Sequence, residues 1–174
     1  MIIMKRIALA LVVMIACACG ASAQKFALVD MEYILKNIPA YEMANEQLNQ
    51  LSQRWQKEVE AKFKEAETLY KNYQADMVFL TDDQKKKKEE EITAKEKEAV
   101  DLRNKYFGQD GEMTKKRQSL LKPIQDDVYN AVKKVSEEKG YQVIFDRASS
   151  ASIVFASPRI DVSNEVLSKL GYSK

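Results

Sequence analysis

From Ala40 onward, apolar side chains recur at Leu48, Leu51, Trp55, Val59, Phe63, Ala66, Tyr70, Tyr73, Met77 and Leu80, at spacings of three and four among charged residues. This period places them on one stripe of a single long helix, and a stripe of that kind needs a second helix to cover it. Three consecutive spacings of four, from Leu51 to Phe63, mark a stutter in the seam. Leu80-Thr81-Asp82-Asp83 interrupts the pattern, with Thr81 or Asp82 as the N-cap of a second helix whose first turn is acidic. The second helix carries a thinner seam at Ile92, Ala99, Leu102, Tyr106 and Met113, which thickens through Leu120, Ile124, Val128, Ala131 and Val135. The outward run from Tyr41 to Phe79 and the return from Asp82 to Leu120 are each 39 residues. Residues 41–119 are therefore expected to form an antiparallel helical hairpin arm about 60 Å long, its tip near 80–84. Gly108 and Gly111 are hinge candidates in the returning helix, and Pro123 is a further place for a bend. A tip at Gly108–Gly111 is the alternative, at the cost of two arms of very different length.

The two ends of the chain read otherwise. Phe26-Ala27-Leu28-Val29-Asp30 is a short buried strand, about 25–30, and Pro39 closes the linker behind it. Gly140 is a helix C-cap, residues 141–146 a second strand, and Ser152-Ile153-Val154-Phe155-Ala156 a third after a serine-rich turn. Asp161 to Leu170 closes as a short amphipathic helix before Gly171. Residues 24–40 and 120–174 would make one body of about 72 residues, marginal for burying its own core and left with open sheet edges. Association relieves both problems, which makes Phe26, Leu28, Val29, Val143, Phe145, Ile153, Val154 and Phe155 the oligomerisation candidates. The expected fold class is α+β: a small β-rich oligomerisation body with a long antiparallel α-helical coiled-coil hairpin arm.

Residues 1–23 read as a signal peptide: Lys5 and Arg6, an apolar run from Ile7 to Ala16, then Ala21-Ser22-Ala23 before Gln24. The run is shorter than the roughly 20 residues that cross a bilayer. Cleavage would remove both cysteines, and the chain has no histidine, so zinc sites and cysteine or histidine catalysis are excluded from the mature protein. A lipidated Cys17 or Cys19 is the competing reading, although Met14-Ile15-Ala16 departs from the usual residues before such a cysteine. Losing Lys5 and Arg6 takes the 28 basic residues to 26, equal to the 26 acidic ones. A mature chain without net charge carries no nucleic-acid footprint.

These ends resemble the Skp/OmpH family of periplasmic chaperones, most closely the form found in Bacteroides-like bacteria, and the similarity spans the mature chain. It is carried by Phe26 to Leu35, by Leu120-Leu121-Lys122-Pro123-Ile124, by Glu138-Lys139-Gly140-Tyr141 leading into Val143-Ile144-Phe145-Asp146, and by Asp161-Val162-Ser163 with Val166-Leu167. The arm is similar only in its charged heptad character. The resemblance implies a homotrimer whose helical arms enclose a cavity for unfolded outer-membrane β-barrel proteins, working in the periplasm without ATP or any cofactor. The chain indeed has no glycine-rich phosphate loop. The best-known members are strongly basic, whereas this mature chain is near neutral, and no basic cluster for lipopolysaccharide can be carried over.

On this reading the client-contact candidates are Trp55, Phe63, Tyr70, Tyr73, Met77, Val78 and Phe79, because the facing helix offers few apolar partners to cover them. Lys85 to Lys88 could meet an anionic membrane surface or lipopolysaccharide, but Glu89 to Glu91 beside them cancel the long-range field. Asp30, Glu32 and Asp146 lie near strand ends and read as caps of backbone groups. No nucleophile motif or metal cluster completes a catalytic site around them, and no enzymatic activity is expected. The competing functions are a structural coiled-coil envelope scaffold and an outer-membrane lipoprotein adaptor.

Overall fold

The computed structural model describes residues 25–149 and 153–172. The signal-peptide segment 1–23 and Ser152 lie outside these residues. The chain divides into two compact units, one of Leu35–Tyr129 and one formed by the segments that end at Ile34 and begin at Asn130.

The second of these units holds a two-stranded parallel sheet, β1 (Phe26–Val29) and β2 (Val143–Asp146), with Leu28 opposite Phe145. A parallel pair needs a long crossover, and here the entire helical middle of the chain supplies it. Gln142 N–H donates to Lys25 O and Arg147 N–H to Val29 O, extending the ladder at both ends. The opposite edge of β1 is used as well: Val162 N–H donates to Leu28 O at 2.8 Å, beside an isolated bridge between Leu28 and Asp161. Ala27, Leu28, Val29, Ile34, Val135, Val162, Val166 and Leu167 are buried. Gly140, at φ 71°, ends the long helix before β2, a left-handed position that suits glycine.

Two expectations are corrected here. The segment after β1 is a helix, α1 (Met31–Lys36), instead of a linker. Asp30 starts it by accepting from Tyr33 N–H at 2.8 Å, an N-cap bond that competes well with extended backbone. The third strand at 152–156 does not form among its described residues, where Ile153 to Ala156 join no ladder. The free edge of β1 is taken instead by Asp161 and Val162, which immediately precede α5 (Ser163–Lys169).

In the unit 35–129, α2 (Pro39–Asp76) runs 38 residues, about 57 Å, with Pro39 in its first turn, where a missing N–H costs nothing. A single 3-10 turn, Met77–Phe79, and an extended Leu80 lead to Thr81, the N-cap of α3 (Asp82–Phe107). Thr81 and Gln84 form a reciprocal capping box. After Gly108–Gly111 the chain resumes as α4 (Glu112–Lys139), which carries Pro123 without interruption and continues into the sheet unit. The base of the hairpin is a cluster of Ala44, Leu48 and Leu121, packed by Tyr41, Met113, Leu120 and Ile124. That cluster draws residues 35–40 and 120–129, expected in the body, into the helical unit.

Candidate functional surfaces

The hairpin is antiparallel, and its register is set by side chains that reach across it. Tyr73 Oη donates to Glu89 Oε1 and Tyr106 Oη to Glu58 Oε2, each at 2.6 Å. Both carboxylates raise the pKa of their phenol, because ionising the phenol would break the bond and set two negative charges together. Trp55 stacks on Tyr106 at 4.7 Å with planes 5° apart, and Phe107 meets both rings edge-on. Val59, Ala66 and Tyr73 of α2 are buried, as are Ile92 and Ala99 of α3.

The buried line leaves a second one uncovered. Phe63, Tyr70 and Met77 follow each other at seven-residue spacing, and each is 37–47 % exposed. Phe63 is rotated out by the stutter: each step of four advances about 40° around the helix, so three steps carry it about 120° from Leu51. Tyr70 and Met77 stay uncovered on a helix whose partner α3 is mostly charged, with Ile92 and Ala99 as its buried apolar residues. At the turn, Val78 and Phe79 are 76 % and 84 % exposed. The seven client-contact candidates thus divide. Phe63, Tyr70, Met77, Val78 and Phe79 are open, whereas Tyr73 is buried and Trp55 is engaged in its ring stack.

Charge at the tip is self-compensated. Lys85 pairs with Asp82 and Lys88 with Glu91, and the four lysines face six acidic residues between Asp76 and Glu91. Further along the arm Lys71 pairs with Glu67 and Lys95 with Glu98, each lysine lowering the pKa of its carboxylate. These exposed pairs contribute little to stability, but they keep the outer faces polar.

In the sheet unit the oligomerisation candidates also divide. Leu28 and Val29 are buried in the unit's own core, while Phe26, Val143 and Phe145 stand about half-exposed. Val154 and Phe155 are 99 % and 85 % exposed. Phe26, Phe145, Ile153, Val154, Phe155 and Ile160 line an open apolar hollow of about 520 Å³. Among the described residues, β2 has no neighbour on its outer edge. The open apolar hollow and the free strand edge thus share Phe145 of β2.

The carboxylates near the strands act as structural caps. Asp146 Oδ1 accepts from Met31 N–H at 3.1 Å and Ala148 N–H at 3.0 Å. Partial burial works against its ionised form, yet these bonds and those from Ser149 outweigh it and hold the carboxyl below its ordinary value. Asp30 receives Arg147 through Nε and Nη2, and Nη1 of the same guanidinium lies 3.5 Å from Asp161. Ser163, buried, donates to Asp161 and accepts from Asp30 N–H. Arg147 thereby ties the ends of both strands to the start of α5. No sequence pattern signals this role, since it joins positions more than a hundred residues apart.

The family described as "Outer membrane protein (OmpH-like)" matches residues 25–170, which include the sheet, the arm and α5. The chain belongs to that family. Its fold is similar to the crystal structure of a candidate outer membrane chaperone (OmpH-like) from Caulobacter crescentus, with a TM-score of 0.67 over 87 % of this chain and 86 % of the other. Identity to it is 14 %, so the likeness is one of fold. No curated protein matches the sequence. The hairpin with its parallel two-stranded sheet is thus an OmpH-like architecture.

Proposed function

We propose that this protein is an ATP-independent periplasmic holding chaperone, exported with a signal peptide cleaved before Gln24, that binds unfolded outer-membrane β-barrel proteins and prevents their aggregation. The observation that carries the reading is the apolar row Phe63, Tyr70 and Met77 with Val78 and Phe79 at the tip, left open on an arm whose other faces are charged. A scaffold built for spacing would gain from covering that row. A holder needs it open, because each partial burial of such a side chain is worth only about 1 kcal/mol, and several together hold a chain without trapping it.

The same reading assigns the sheet unit to self-association, as a homotrimer, through Phe26, Val143, Phe145, Ile153, Val154 and Phe155. The support is the open hollow and free strand edge together with the family resemblance. The testing experiment dilutes a urea-unfolded β-barrel membrane protein with and without the mature chain while light scattering and complex mass are recorded. Suppressed scattering with a complex of three subunits and one client is expected. Unchanged scattering from an oligomeric, helical protein would move the assignment to an envelope scaffold.

A further inference from the structure

The glycine pair looks like a hinge in sequence, but its surroundings are closed. A Cβ on Gly108 would run into the carbonyl oxygen of Asn104, and one on Gly111 would lie 2.8–2.9 Å from backbone atoms of Tyr106 and Gly108. Gly108 N–H donates to Asn104 O, Gly111 N–H to Gly108 O, and Gly111 is buried. The break is a tight turn that closes around two glycines, and the N–H groups of both glycines are bonded within it.

Opposite this turn α2 passes without interruption, and Trp55 is the one large apolar residue between Leu51 and Val59. Its ring is occupied by Tyr106 and Phe107, the two residues immediately before Gly108, and Glu58 one turn further along α2 accepts from Tyr106. On one side of this point the arm is held by the Leu48–Leu121 cluster, and on the other by the line from Val59 to Tyr73. Between them only one helix is continuous, so the aromatic group is what resists bending there.

We propose that Trp55, Tyr106 and Phe107 form an aromatic latch that keeps the helix break shut, and that release of this latch, not softness of the glycine turn, governs motion of the arm at that point. Trp55 is thereby a latch residue instead of a client contact. The inference concerns the protein alone and stands or falls independently of the chaperone reading.

The test is amide exchange on the full mature chain, with acrylamide quenching of its single tryptophan. In the unaltered protein, the bonded amides of Gly108, Gly111 and Lys115 are expected to be protected and Trp55 shielded. Trp55→Ala should accelerate exchange at these three amides by about ten-fold or more while 44–48 and 66–73 keep their protection. Phe107→Ala should do the same and also expose Trp55 to quencher, whereas Trp55→Phe, which can still stack, should restore most of the protection. Free exchange at Gly108, Gly111 and Lys115 in the unaltered protein would overturn the proposal, since the turn would then be soft by itself. Unchanged exchange in Trp55→Ala would overturn it too. So would equal loss of protection at 44–48 and 66–73, because the rings would then be ordinary core and no latch.

Discussion

The two ends of the helical arm use the same kind of sequence to opposite effect. At the base, Ala44, Leu48 and Leu121 are enclosed by Tyr41, Met113, Leu120 and Ile124, with apolar residues contributed by both helices. Toward the tip, α2 offers at least as much apolar surface, but α3 answers it with only Ile92 and Ala99 fully buried and with lysine stems between them. Helicity there is also favoured by the capping box and by residues that favour helix. The base is closed by apolar residues from both helices, whereas the distal arm combines one buried line with local helix formation, which can hold a helix while leaving a second apolar row open.

The sharpest way to break this comparison is a pair of cavity variants. Leu48→Ala should cost about 3 kcal/mol of arm stability, and Ile92→Ala about 2 kcal/mol, as read by denaturant unfolding of helical signal. An equal or larger cost at Ile92 would show that the distal seam is no weaker than the base. Filling the seam runs the other way: Lys95→Leu should stabilise the arm by about 1 kcal/mol and reduce the amount of unfolded client held in the scattering assay. A tip double variant, Val78→Asp with Phe79→Asp, should change stability by less than about 0.5 kcal/mol, because both side chains are already in water, and yet weaken client capture severalfold. Loss of stability without loss of capture would reassign those residues to packing.

The smallest effects are in pH. The Asp146 carboxyl lies below its ordinary value near 3.8 in the folded chain, so its contribution is complete above that value and is lost as pH falls through the lower, folded one. Asp146→Asn should therefore flatten the acid limb of sheet-unit stability below about pH 4. Tyr73 and Tyr106 are raised above 10, so their contribution to the arm is complete below pH 10 and is lost as pH rises through the higher folded values. Near-ultraviolet titration should show the phenols of Tyr73 and Tyr106 ionising above pH 10.

Much of the arm was legible because its signals are local. The seam spacings, the Thr81 cap, the tip and the interruption at Gly108–Gly111 all follow from residues within a few positions of one another. The candidate surfaces were less legible. Tyr70 and Tyr73 are three residues apart on the same seam, yet one is open and the other buried against α3 and bonded to Glu89. Leu28 and Phe26 lie on the same face of β1, yet Phe26 is half-exposed and Leu28 buried.

By itself the sequence determined the two long helices of the arm and the strands β1 and β2, because periodicity and capping act over one or two turns, while α1 read as a linker and residues 152–156 as a strand. The tertiary structure alone decided which apolar side chains remain uncovered, since coverage depends on what the facing helix supplies at the same height. It also decided that Asp161 and Val162, and not residues 153–156, take the second edge of β1, and that Arg147 locks Asp30 to Asp161. Those choices are made by backbone and charged groups far apart in the chain, which must find partners once water is excluded.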